Sequence, residues 1–124
     1  MRKLLLPLLA LSLATVPALA DTTVAPTQRT TIMGSGTIGT GNTFQSIMAA
    51  DANRTGCIIQ NTSTHIMYVY FGATASATTS NSFQVPAGGF MYCGAGGNSV
   101  VALTDNVAIT TSTTSDTFVF AFQH

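Results

Sequence analysis

The chain has 124 residues and little charge, with four Lys or Arg and four Asp or Glu side chains and a formal net charge of zero. No basic patch is available to neutralise phosphates, so nucleic-acid binding is disfavoured. The length fits one domain with one hydrophobic core. A weakly charged surface tolerates close contact between copies in an assembly, and a secreted monomer solvated by hydroxyl groups is the alternative.

Residues 1–20 have the three-part pattern of a secretory signal peptide. A positive n-region at residues 2–3 and an apolar h-region at 4–16 precede an Ala-Leu-Ala cleavage site that ends at Ala20. A membrane anchor is the alternative, but the apolar stretch is shorter than the roughly 20 residues that span a bilayer. We expect a signal helix that is removed before Asp21 and a chain exported to the periplasm, the cell surface or the medium. Only an uncleaved leader would bring the chain to a membrane.

Residues 21–43 predict an extended N-terminal arm rich in Gly and Thr. Residues 22–29 are polar and contain proline, and residues 30–33 predict one short strand. The segment 34–42 is predicted to be irregular, because glycine loses more conformational freedom on folding than any other residue. The domain itself is expected to begin at residue 44.

Residues 44–124 predict a single antiparallel β-sandwich or jelly roll of about eight or nine short strands. Runs of β-branched and aromatic residues alternate with turns of Gly, Pro and Asn at intervals of roughly 8 to 12 residues, and no helix pattern is visible. The second and third strands are separated only by residues 62–64, so they are expected to form a hairpin. The predicted strands are residues 44–48, 55–61, 65–71, 82–85, 90–93, 99–103, 107–111 and 117–123.

The last predicted strand is apolar on both faces. Phe118, Phe120 and Phe122 share one face by the period of two, and Val119 and Ala121 share the other. The strand is either central in the sandwich or in contact with a partner subunit through one face. The central position is favoured, and the three phenylalanines are candidate partner contacts under the other reading.

Tyr68 and Tyr70 also share a face of their strand and offer a platform for a protein or a glycan. Half-buried tyrosine in a sheet is the commoner explanation. An exported adhesin or glycan-binding module would use these tyrosines together with the loop at residues 72–81.

Cys57 and Cys93 are the two cysteines of the chain. An exported protein meets oxidising conditions, so we expect them to form a disulfide. In the chain-entropy model such a bridge stabilises the fold by about 4 kcal/mol. Two buried free thiols are the alternative, and no spacing typical of a zinc site accompanies these residues.

The sequence predicts neither catalysis nor a bound cofactor or metal. Residues 34–39 match G-x-G-x-x-G, but no helix follows to bind a pyrophosphate. Residue 51 opens a calcium-loop pattern in which Thr62 stands where a bidentate Glu is required. His65 with Asp51 and a serine is the one candidate for hydrolysis, and no nucleophile motif accompanies it.

Three segments carry a connected pattern: residues 54–61 (RTGCIIQN), 67–72 and 83–89. An Arg precedes a strand that ends in Gln-Asn, a second strand ends in an aromatic residue and Gly, and a Pro-x-Gly turn precedes a further strand. This pattern resembles a family of small β-rich proteins common in tailed-phage and prophage gene sets, and the resemblance extends to about residue 122. It implies a virion-associated accessory or decoration protein that contacts copies of itself or other virion subunits, without chemistry. The leader and the more aromatic last strand depart from the family pattern.

Overall fold

The computed structural model describes residues 28–94 and 104–124, which form eight strands and no α-helix. Two short 3-10 turns, Thr74–Ser76 and Thr79–Asn81, lie between the fourth and fifth strands. The predicted signal peptide, its cleavage site at Ala20 and Asp21, and the predicted strand at 99–103 lie outside the described residues. The strands are β1 (Thr31–Thr37), β2 (Gln45–Met48), β3 (Gly56–Asn61), β4 (Met67–Phe71), β5 (Phe83–Val85), β6 (Phe90–Gly94), β7 (Val107–Thr111) and β8 (Thr117–Gln123).

The strands form two antiparallel sheets of four strands each. The first sheet has the order β1-β8-β3-β6 and the second the order β2-β7-β4-β5. Each strand of the first half therefore pairs with its counterpart from the other end of the chain: β1 with β8, β2 with β7, β3 with β6 and β4 with β5. This is the order of a jelly roll, in which an antiparallel ribbon is rolled into two facing sheets. The predicted all-β sandwich is confirmed.

The hydrophobic core lies between the two sheets. Successive side chains of a strand point to opposite faces, so alternate residues of each strand enter the core. Ile59 in β3, Met67 and Val69 in β4, and Ile109 in β7 are completely buried. Burial of a side chain of this size contributes about 1.5 to 3 kcal/mol, which makes the core the main source of stability.

β3 and β4 do not form the predicted hairpin, and that prediction is wrong. β3 pairs with β6 and β8 in the first sheet, whereas β4 pairs with β5 and β7 in the second. Residues 62–66 therefore carry the chain from one sheet to the other. Asn61 organises this crossing, because its buried amide donates hydrogen bonds to the carbonyls of His65 (2.7 Å) and Val85 (3.0 Å).

β1 continues through the glycine-rich segment, so the prediction that this segment is irregular is wrong as far as residue 37. Gly34 and Gly36 lie opposite Phe120 and Phe118 in the β1–β8 pair. The phenylalanine rings occupy the space that a side chain at these glycines would take. Aromatic rings that cover glycines on an edge strand favour regular pairing over disorder. β1 lies within the predicted arm and is hydrogen-bonded into the first sheet.

Gly36→Val should lower the free energy of unfolding by about 1 to 3 kcal/mol, the usual effect of overpacking. A Cβ at this position would lie 2.8 Å from Cζ of Phe118, and that ring is only 4% exposed. Ser35→Val is the matched control, because its side chain is exposed on the other face of the same strand. Urea unfolding of both variants tests the packing, and equal stability of the two would contradict it.

Candidate interaction surface

The three phenylalanines of β8 lie within the sandwich. β8 is an interior strand of the first sheet, between β1 and β3, which is the central position favoured from the sequence. Phe118 is buried, and Phe120 and Phe122 pack against the core. Successive rings are stacked with centroid separations of 6.3 and 6.4 Å. Packing in the core therefore accounts for the apolar character of these three residues.

The outer face of the second sheet carries Tyr68 and Tyr70, which are both half-buried. The ring of Tyr70 meets Phe44 edge to face with a centroid distance of 6.5 Å. Thr110 and Ala108 lie opposite the two tyrosines on β7 and are completely buried, although they point away from the core. This face is therefore largely covered by side chains of its own chain.

The outer face of the first sheet is different, because large apolar side chains on it remain exposed. Directly opposite residues of antiparallel strands share a face, so the strand register assigns its side chains. Met33 is 73% exposed, Tyr92 61% and Phe90 58%. Together with half-buried neighbours on the same face they form what we call the outer-face patch: Met33, Ile58, Phe90, Tyr92, Val119 and Ala121.

The outer-face patch carries no charge. In the register of the four described strands, all the remaining residues on this face are Gly, Ser, Thr or Gln. A groove of about 500 Å³ opens at one end of the face, lined by Gly56 and Gly94, which lack side chains, and by Tyr92 and Gln123. An apolar, uncharged and concave surface of this kind is typical of a binding face.

A two-faced apolar pattern in the sequence also marks the strand that carries Phe90 and Tyr92. In the strand at 90–93, Phe90 and Tyr92 alternate with Met91 and Cys93, so both faces are apolar. The same two-faced pattern in β8 was interpreted as a central strand or a partner contact. β6 pairs with β3, and only the register of that pair shows that Phe90 and Tyr92 point away from the core.

Cys57 and Cys93 form the predicted disulfide. They lie directly opposite each other on β3 and β6 with a Cα–Cα distance of 4.9 Å, and both are buried. The bridge is on the inner face of the first sheet, directly behind Ile58 and Tyr92. It therefore ties together the two strands that carry half of the outer-face patch.

The two His–Asp pairs of the described residues lie at opposite ends of β8. Nδ1 of His65 is 3.0 Å from Oδ1 of Asp116, just before β8 begins. Asp51 instead contacts Nδ1 of His124 at 3.1 Å, just after β8 ends. A strand of this length spans about 20 Å, so His65 and Asp51 cannot act together as the hydrolase candidate requires.

Hydrogen bonds around the two His–Asp pairs indicate that the pairs stabilise the adjoining loops. Asp51 Oδ1 accepts the backbone N–H of Asn53 at 2.9 Å, and this bond together with His124 holds the pKa of Asp51 below its ordinary value. The Oγ of Ser63 bonds to Asn61 and to the backbone of His65, not to the His65 ring. The carboxylates and the serine are thus engaged in loop contacts.

Arg54 is buried at the same end of the sandwich as Asp51. Its guanidinium donates to the backbone carbonyls of Asp105 (2.8 Å) and Ala49, and lies 5.6 Å from the ring centroid of Phe122. Burial lowers the pKa of Arg54. The contacts join two connecting loops and close this end of the core.

The stability of the fold should fall as the pH drops below about 4. Burial acts to raise the pKa of Asp116, but hydrogen bonding with Thr111 and His65 outweighs it and holds this pKa below its ordinary value. A carboxylate with a lowered folded-state pKa stabilises the fold above its unfolded-state pKa, and this contribution is lost as the pH falls through the folded value. Asp116→Asn should therefore be less stable at neutral pH and show a shallower loss in acid.

Chemical unfolding of both proteins across the acidic range measures this difference. Asp51→Asn is the comparison at the other end of β8 and should remove a separate part of the acid dependence. Identical pH profiles for the native protein and Asp116→Asn would contradict the role of the pair.

The described residues contain no group of three or more His, Cys, Asp or Glu side chains that could hold a metal ion. No helix in that part of the chain is long and apolar enough to cross a membrane. Comparison with family models, curated proteins and solved structures finds no match to this chain.

Proposed function

We propose that this chain is an exported, non-enzymatic structural protein that attaches to a larger protein assembly through the outer-face patch of its first sheet. The observation that carries the proposal is the exposure of Met33, Phe90 and Tyr92 on one uncharged face. Fully buried interface cores are apolar, rich in aromatic residues and Met, and poor in charge. The patch has this composition.

The contrast between the two sheets supports the choice of face. The outer face of the second sheet is covered by its own side chains, whereas that of the first sheet leaves its largest side chains exposed. The disulfide behind Ile58 and Tyr92 keeps the patch in one shape, which lowers the entropic cost of docking. It also suits the oxidising compartments that the leader predicts.

The assembly that we propose is the virion of a phage or prophage, with the chain as an accessory or decoration protein. The resemblance of residues 54–61, 67–72 and 83–89 to small phage proteins favours this assembly. The jelly roll supports it as an analogy of fold, because that architecture serves many capsid proteins and also lectins.

Phe90→Lys should abolish incorporation of the chain into particles, because it places an unpaired charge within a desolvated contact. Mass spectrometry of particles purified from the source measures the copy number of the chain. Gln84→Lys is the matched control, an exposed position on the second sheet, and should be incorporated like the native chain. Absence of the native chain from particles, or equal incorporation of both variants, would overturn the proposal.

A second candidate is an exported module that binds a neutral glycan, and the groove on the outer face favours it. Tyr92 offers an aromatic wall, and Gln123 and Thr31 offer amide and hydroxyl groups at the same site. Such a site pairs an apolar surface with a few polar groups, as small-ligand pockets do. A glycan array with native protein and Tyr92→Ala tests it, and binding that is equal for both would exclude this groove.

A further inference from the structure

The open side of β1 presents backbone groups that have no partner among the described residues. Thr30 and His124 exchange backbone hydrogen bonds of 3.0 and 3.2 Å. The N–H of Ile38 donates to the backbone carbonyl of Asp116 at 2.8 Å. Bonded positions alternate along an antiparallel ladder, so the even-numbered residues of β1 bond to β8. The odd-numbered residues Thr31, Met33 and Ser35 therefore direct their N–H and C=O groups away from β8.

β1 also lacks the features that normally protect an edge strand. Natural edges carry Lys, Pro, inward charges or a bulge that prevent pairing with another chain. The β1 sequence TIMGSGT has none of these, and its register with β8 is continuous over seven residues. Thr37 differs from the other odd-numbered residues, because its carbonyl already accepts a 2.9 Å hydrogen bond from Gln45 Nε2.

We propose that β1 pairs antiparallel with β1 of a second copy of this chain, which joins the two first sheets into one continuous sheet. The proposal extends the structural role proposed above by naming one partner. A two-fold axis at Met33 places Met33 opposite its own equivalent and Thr31 opposite Ser35, so all three open residues find partners. This register places Thr37 opposite residue 29, which precedes β1, so the β1–β1 contact does not need the carbonyl of Thr37 that Gln45 occupies.

The chemistry of β1 favours a second copy as its partner. A self-complementary contact brings identical residues together, so a charged edge would repel itself. β1 is uncharged, and the side chain of Met33 is 73% exposed beside the open edge. Pairing would place the two Met33 side chains next to each other on the outer face, and the outer-face patch would run across both copies.

Met33→Cys provides the direct test of the register. The native cysteines are bridged to each other, so the new thiol is the only free one among the described residues. Hydrogen-bonded antiparallel partners have Cα atoms about 5.5 Å apart, which is within disulfide range. The full-length variant should form a covalent dimer under mild oxidation.

Ser35→Cys is the matched control on the same strand and should remain uncrosslinked, because residue 35 faces residue 31 of the other copy. A mixture of Thr31→Cys and Ser35→Cys should give the crosslinked pair. If Met33→Cys and Ser35→Cys, each tested without the other, crosslink to the same extent, the crosslinks arise from random collision and the register is overturned.

Sedimentation velocity separates this pairing from the proposed attachment to a larger assembly. The native protein should sediment as a dimer, Met33→Lys as a monomer, and Phe90→Lys as a dimer that no longer enters particles. A strictly monomeric native protein would overturn the β1 pairing and leave attachment through Phe90 intact. A native dimer that Met33→Lys does not dissociate would place the contact elsewhere.

Discussion

Asn61→Ala should lower the free energy of unfolding by about 3 to 4 kcal/mol, because the hydrogen-bond partners of this buried side chain lose their bonds. We call this group of hydrogen bonds around Asn61 the hub. Asn61 is completely buried, and its amide nitrogen reaches the carbonyls of His65, Val85 and Pro86 at 2.7, 3.0 and 3.1 Å. Its Oδ1 accepts from both the backbone and the hydroxyl of Ser63 at 3.0 and 2.8 Å. Removal of the side chain leaves these groups without their partner at the crossing between the sheets.

Chemical denaturation of Asn61→Ala beside Asn53→Ala measures this effect. Asn53 is exposed, so its replacement should stay within about 0.5 kcal/mol of the native protein. Asn61→Asp is a further test, because it has nearly the same shape but directs an oxygen at the carbonyl groups. It should be at least as unstable as Asn61→Ala. A loss for Asn61→Ala no larger than for Asn53→Ala would disprove the hub.

Loss of the Cys57–Cys93 disulfide should lower the free energy of unfolding by about 4 kcal/mol in the chain-entropy model. The bridge closes a loop between residues 36 positions apart in the sequence, and so restricts the unfolded chain strongly. Both cysteines are also buried against the core, so their replacement with Ala adds a small packing loss. For a domain of this size, such a loss is a large part of the total stability.

A double-mutant cycle identifies the bridge as the cause. Either Cys57→Ala or Cys93→Ala breaks the same bond, so each single variant should lose nearly as much stability as the double variant. Two independent free thiols would instead give additive losses. Alkylation of the remaining thiol prevents exchange during the measurement, and full additivity would contradict the disulfide.

Local patterns were sufficient to predict most strands. The predicted strands at 55–61, 82–85, 90–93, 107–111 and 117–123 coincide with β3, β5, β6, β7 and β8 to within one residue. These segments combine β-branched or aromatic residues with clear turns on either side, so their local preferences and tertiary contacts agree. The cysteine pairing was predicted because residues 1–20 have the pattern of a signal peptide, and an exported protein would meet oxidising conditions.

Pairing between distant strands could not be predicted in the same way. A short polar link such as residues 62–64 suits either a hairpin or a crossing between sheets, and the choice depends on contacts of Asn61 with residues far along the chain. Asn61 also shapes the local turn, because its Oδ1 accepts the backbone N–H of Ser63 at 3.0 Å. The regular strand at Gly34 and Gly36 depends on the rings of β8, which no window around the glycines contains.

The outer-face patch has the same dependence on tertiary structure. In the sequence, Phe90 and Tyr92 resemble core residues because they are aromatic. In the fold their ring centroids are 5.2 Å apart on the outer face. Their outward direction follows from the register of Cys57 with Cys93, which turns the cysteines inward and the aromatic rings outward. The exposed apolar face therefore depends on the pairing of β3 with β6, which no local sequence pattern specifies.

Photocrosslinking from position 90 tests most directly whether the first sheet contacts another protein subunit. A photoreactive phenylalanine analogue replaces Phe90 in one variant and Gln84 in the control, and each is irradiated within purified particles. We predict that position 90 crosslinks to a protein subunit of the same particle, identified by mass spectrometry, and that position 84 does not. Crosslinks from position 84 alone, or none to protein from position 90, would contradict a function that depends on this face.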